Sequence, residues 1–293
     1  MPHKTILQIF SASTVLAVAL RFAQLFFTID AKTGFSIIGS YEKVNIIIYA
    51  LLLVLFIIPA FFSAVSSNRQ PTRAPIPKSF PFLTVINFLM AICMLASAGI
   101  KFIALETYSV GAVFEILLLL TSAVWFILYA SVGFVKIKLP VALSIAPVIL
   151  CLYKLITIFI SHNGLANISE NIITTLFLCA ILFFFLLQSK IICKVAIRKS
   201  SRHIFTAAVV AFMLMAIGNI PPLAIWLMGR ADLLHTSSVF NLEYVIMGVY
   251  ALVFTLQLYS KKKWPTSHYQ HSTEHMDIEN ANHTFIMEHK EDQ

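Results

Sequence analysis

The chain has 293 residues, 59% of them hydrophobic and 12% charged, with a formal net charge of +8 and a mean hydropathy of +0.87. A soluble domain carries about 25% charged residues and has no core large enough to bury this much apolar side chain. The expected fold class is therefore an all-α polytopic membrane helix bundle, with the lipid bilayer as its first partner and nucleic acid excluded, because Lys and Arg sit in short segments between apolar runs, where they report topology.

Eight apolar runs reach the roughly 20 residues that a spanning helix needs. They fall at about 5–29, 44–66, 81–104, 109–135, 140–162, 171–189, 204–228 and 240–260. An even number of crossings puts both chain ends on one side. Lys4, the loop 67–80 with Arg69, Arg73 and Lys78, the turn with Lys136 and Lys138, the loop 190–203 with Lys190, Lys194, Arg198, Lys199 and Arg202, and the run Lys261, Lys262, Lys263 then share that side. The other side holds Lys32, Lys43 and Arg230 beside Asp30, Glu42, Glu106, Glu170 and Asp232. The positive-inside rule makes the basic side cytoplasmic, so a cell-membrane protein with cytoplasmic N- and C-termini is expected. Trp226 and Trp264 fall near span ends, as interfacial anchors do. The cysteines Cys93, Cys151, Cys179 and Cys193 have no metal-ligand spacing and read as small buried hydrophobes. The organisation expected is a four-helix half at 1–135, a second at 136–260, and a polar, disordered cytoplasmic tail at 261–293, whose His268, His271 and His275 read as solvated.

Polar residues inside the spans carry the rest of the signal. Span one places Thr14, Arg21, Gln24 and Thr28 on one helical stripe. The run Arg21-Phe-Ala-Gln24-Leu-Phe-Phe-Thr-Ile-Asp30-Ala-Lys-Thr33-Gly34-Phe35 resembles the first-span exit of uncharacterised multi-pass membrane proteins of clostridial and related Gram-positive bacteria. The resemblance implies a bacterial plasma-membrane protein and carries over no active site. Span three holds Lys101 and span four Glu115. Span five repeats the stripe as Cys151, Lys154, Thr157 and Ser161, and span eight holds Glu243. A shift of 133 positions lays Arg21 on Lys154, Gln24 on Thr157 and Thr28 on Ser161, while Glu115 and Glu243 differ by 128. A parallel four-plus-four duplication about an axis along the membrane normal would produce these offsets.

A charge at the bilayer centre costs about 2.5–3.5 kcal/mol on insertion scales, so these residues should face the bundle interior and pair. All five ionisable residues fall in the outer halves of their spans, with Arg21 and Lys154 roughly 12 Å below the outer surface by helical rise. The inner halves read as almost purely apolar. Lys101 and Glu243 lie close enough to the surface to snorkel. Span seven contains Gly218-Asn219-Ile220-Pro221-Pro222, where two prolines remove two amide donors and should kink or break the helix. Pro59 and Pro147 read as lone kinks.

No phosphate-binding loop, metalloprotease helix, nucleophile elbow or paired-acid metal cluster is present. No cofactor or metal is expected, and an enzyme is the least supported class. The first functional reading is a transporter or permease-like protein for a small anionic or zwitterionic solute. Arg21 and Lys154 would contact the anionic group from opposite halves, with Glu115 as counter-ion, Asn219 on the wall and Gln24 beside Arg21. The alternative is a non-enzymatic membrane sensor or assembly subunit that docks a cytoplasmic protein partner through its basic loops.

Overall fold

A computed structural model describes residues 3–30, 40–66, 81–104, 109–132, 134, 140–161, 169–193, 197–234 and 241–258. Over these residues the protein is all-α, with eight helices: α1 (His3–Phe27), α2 (Ser40–Ser66), α3 (Pro81–Ile103), α4 (Val110–Ser131), α5 (Ala146–Ser161), α6 (Ser169–Ile192), α7 (Ile197–Leu227) and α8 (Leu242–Leu258). Seven of them are long and apolar enough to cross a membrane, and α8 is a shorter apolar helix of 17 residues. The tail with its histidines, Trp264, and most of the loops that carry the topology signal lie outside the described residues.

Lipid has to cover the outside of this bundle. Ile103, Val110, Val15, Phe159 and Ile160 all turn more than two thirds of their surface outward, with no charged rim between them. Such a belt is stable in hydrocarbon and would aggregate in water. The protein is a multi-pass membrane protein. Cys93 and Cys151 are buried as expected, but Cys179 is exposed on the bundle's outside. Trp226 is exposed near the end of α7, where an interfacial anchor belongs.

Successive helices alternate in direction. Gln24 meets Asn45 between α1 and α2, Lys101 meets Glu115 between α3 and α4, Ser144 meets Ser189 beside α5 and α6, and Asn219 meets Asn241 between α7 and α8. The beginning of α1 and the end of α8 therefore share one end of the bundle, called the basic end below after the Lys and Arg of its connecting segments. Neighbours run α3–α4–α5–α6–α7–α8 and back to α3, a closed circuit of six helices. The α1–α2 hairpin packs outside that circuit, on α7. Hence 67% of the membrane-crossing stretch of α7 is buried, against 17% for α2.

This pattern does not display the four-plus-four repeat. α6 packs along α7, but their counterparts α2 and α3 are not close neighbours, and the seating of α1 and α2 on α7 has no equivalent in α5 and α6 on α3. Two proline expectations also change. α7 continues through Pro221 and Pro222 as one helix. Pro147 lies in the first turn of α5, after a 3₁₀ turn at Val141–Ile145, where a missing amide costs nothing.

Two glycines set the geometry that matters for the site. α7 stops at a Schellman turn: Gly229 has φ 72°, its amide donates to the Trp226 carbonyl, and Arg230 donates to that of Ile225. A side chain at Gly248 of α8 would stand 2.8 Å from Cβ and Cγ of Met215, so its absence lets α8 close on α7.

Candidate functional site

The closeness of α7 and α8 puts the first turn of α8 beside Asn219. Asn241 caps that turn in the usual way: its Oδ1 accepts from the amides of Glu243 at 3.0 Å and Tyr244 at 3.4 Å. Its own amide donates to Asn219 Oδ1 at 3.1 Å, and Asn219 Nδ2 donates to the Met215 carbonyl at 3.1 Å. Asn219 lies eight residues before the end of α7, and Lys154 seven before the end of α5, so this junction sits roughly 10–12 Å beneath the end opposite the basic one. The helix of 17 residues is thus short for a reason. It begins below the surface, and the remaining length, about 25 Å, reaches the basic end.

Glu243 follows the cap directly, and its carboxylate receives Lys154 Nζ from α5 at 2.6 Å to each oxygen. The side chains are 9% and 6% exposed, which makes this a closed ion pair and not a snorkelling one. The position of Glu243 suits it, because an anion in the first turn of a helix faces the positive end of the helix dipole. The Tyr244 ring lies under the ammonium with 5.5 Å from Nζ to its centroid, and adds cation–π attraction. The fields of Cys93 on α3, Cys151 on α5 and Glu115 on α4 also reach the pair. Three helices far apart in sequence therefore meet at one polar junction.

The other polar cluster lies on α1 and α2. Arg21 is 2% exposed and donates to Gln24 Oε1, one turn ahead on the same helix. Gln24 Nε2 donates to Asn45 Oδ1 of α2 at 2.5 Å, and Thr28 reaches both the Gln24 carbonyl at 2.9 Å and Asn45 at 3.3 Å. Ala17 packs with Ile217, and Leu25 and Ile29 with Ile225, so Arg21 stands level with Pro221 of α7. The contact of Gly248 with Met215 places Glu243 at nearly the same level. Arg21 and Lys154 thus share one depth, as their spacing suggests, but lie on opposite sides of α7. Ile217 and Asn219 are two residues apart and project about 200° from each other, one toward α1 and the other toward α8.

Of the five residues singled out from sequence, Lys154 and Asn219 come together at the α5–α7–α8 junction, and Arg21 and Gln24 come together on α1. Glu115 joins neither cluster directly. Its carboxylate is 2.5 Å from Lys101, whose side chain is 44% exposed. The acid that faces Lys154 is Glu243. Asn241, Tyr244 and Asn45 are further members that the sequence reading missed. Asn241 carried a signal, since Asn one residue before an apolar helical run is a strong capping candidate. Asn45 had only a polar position inside α2 to mark it. Among the described residues no group of His, Cys, Asp and Glu could hold a metal ion. No protein-family model, curated protein or solved structure matches the chain.

Proposed function

We propose that the protein is a permease for a small zwitterionic solute, such as an amino acid, and that the α5–α7–α8 junction is its binding site. The observation that carries this reading is the combination of a closed Lys154–Glu243 pair with a helix N-terminus some 10 Å inside the bundle. Helix ends at membrane depth are how many transporters hold anionic groups, because the free amides and the dipole point at the ligand. The pair gives the site both signs of charge. A carboxylate entering from the end opposite the basic one takes Lys154 and Asn219 Nδ2, while the solute's ammonium takes Glu243. In the empty state Lys154 and Glu243 satisfy each other, which keeps two buried charges from standing alone. The α1–α2 cluster braces α7 from its other face in this scheme, and the transport reading needs no internal repeat.

The test uses the full-length protein in detergent and in vesicles. A panel of amino acids and small carboxylates is screened for thermal stabilisation, followed by uptake into proteoliposomes. A zwitterion that raises Tm should lose its effect in Lys154→Met and in Glu243→Gln, and retain it in Lys101→Met. A panel in which no compound shifts Tm or accumulates would sink the reading. Stabilisation by simple carboxylates that depends on Lys154 but not on Glu243 would move the solute class to anions.

A further inference from the structure

The inner halves of the spans, apolar by sequence count, contain polar atoms that the protein itself does not satisfy. Asn87 of α3 is fully buried. Its Nδ2 donates to the Leu83 carbonyl at 2.7 Å, yet its Oδ1 meets no protein donor. The hydroxyls of Ser122 on α4 and Thr255 on α8 are equally buried and have no protein partner. This is not the habit of hydroxyls in this bundle. Thr14, Thr28, Thr121, Ser131 and Thr157 all donate to the carbonyl four residues back. The three exceptions lie on the buried faces of three helices that meet: α3 packs on both α4 and α8, and Phe126 of α4 packs its ring against Tyr250 of α8.

Their heights form a series. The Lys101–Glu115 pair sets the register of α3 against α4, so Ser122 stands beside Met94, next to Cys93 and level with the Lys154–Glu243 pair. Asn87 is six residues from Cys93, about 9 Å nearer the basic end. Tyr250, whose hydroxyl is paired with Gln188, lies about 10 Å along α8 from Glu243, and Thr255 about 18 Å. A buried amide or hydroxyl left unpaired costs about 1–3 kcal/mol, and native proteins pair nearly all such groups with protein or with water. A buried water needs two to four polar partners, which this series offers at each level.

We propose that a string of bound water runs between α3, α4 and α8, held by Ser122, Asn87 and Thr255, and that it connects the level of the Lys154–Glu243 pair to the basic end of the bundle. Gaps of about 9 Å between the anchors take two or three waters each at ordinary O–H···O separations. The inference rests on the orphaned polar atoms and holds whatever solute the pair receives. It supplies the polar path on the basic side that an alternating-access cycle requires.

Hydroxyl-radical labelling by synchrotron X-rays, read by mass spectrometry on the full-length protein in micelles, tests it, because radicals form from bound water in place. Met90 and Met94 share the buried face of α3 with Asn87 and are completely buried, and Met213 is as deeply buried in the apolar cluster of Phe10, Phe205 and Val209. Met90 and Met94 should oxidise several-fold faster than Met213. Equal rates for all three would overturn the string, and labelling of Met90 without Met94 would overturn its connection to the pair. A second measurement reads the sign of a stability change. In a hydrated interior, Asn87→Leu and Thr255→Val lose bonds to water, so they lower Tm and slow labelling of Met90. In a dry interior the same changes remove an unpaired polar group and raise Tm, which would also overturn the proposal.

Discussion

The clusters around Arg21 and around Lys154 lie at one depth on the two faces of α7, but they are assembled in different ways. On α1 the contacts are local. Arg21 meets a residue three positions on, and the chain of amides reaches only into the next helix, at Asn45. At the α5–α7–α8 junction the bond that matters joins residues 89 positions apart and depends on where a helix begins. The first arrangement follows from helical spacing, since residues three and four apart are neighbours on a helix face. The second exists only because Gly248 lets α8 close on α7 and Asn241 starts the helix beneath the surface. One cluster braces a helix contact. The other brings a cation, an anion and a helix end together, which is why the solute site is assigned there.

The sharpest way to break the comparison is to remove one charge of the closed pair. Glu243→Gln leaves a buried ammonium without its anion and should lower stability by about 3–5 kcal/mol in a detergent-denaturation equilibrium. The double change Lys154→Met with Glu243→Leu should recover most of that loss, because a buried ion pair is worth little more than apolar side chains of similar volume. A double variant as unstable as the single one would mean that the pair fixes the assembly of α5 and α8.

In the α1–α2 cluster, Gln24→Leu removes the acceptor of Arg21 and the donor to Asn45, with an expected loss of about 1.5–3 kcal/mol, the range for hydrogen bonds to charged groups. Combined with Glu243→Gln, the two losses should add to within about 0.5 kcal/mol if α7 separates independent sites. A larger departure, seen in a double-mutant cycle, would show that the clusters communicate through Asn219 and the proline pair.

Asn241→Ala discriminates the two faces more finely. It removes the cap of α8 and should cost about 1 kcal/mol. In the solute screen it should also weaken binding that Gln24→Leu leaves alone. The smallest effect belongs to Lys101→Met. The Lys101–Glu115 pair is close but half open, and such pairs contribute at most about 1 kcal/mol.

These contrasts also mark what could be read from the chain. The apolar runs located all eight helices within a few residues, because hydrocarbon imposes a length and excludes charge. The stripe of Arg21, Gln24 and Thr28 was legible for the local reason given above. Glu243 was recognised as an intramembrane acid but placed near the surface, since counting from the end of an apolar run assumes that the run starts at the interface. Its true partner follows from a helix that begins deep, and periodicity does not report starting depth. The likeness of the Arg21 and Lys154 stripes suggested a repeat, yet similar spacing on two apolar helices does not require similar neighbours. Ser122, Asn87 and Thr255 escaped notice for a different reason: single small polar residues barely alter an apolar average, and only packing reveals that they lack protein partners.

The deep start of α8 has a consequence for how the chain is made. Lys154 leaves the ribosome 89 residues before Glu243, which at about 5–20 residues per second is a delay of roughly 5–20 s. For that interval α5 carries a cation in the membrane with its eventual anion still unsynthesised, and the last helix to emerge is the short one that closes the circuit between α3 and α7. Biosynthesis thus ends on the step that neutralises the bundle, and a chain halted after α7 presents an open seam with an exposed charge, the kind of lesion that membrane proteases and chaperones recognise.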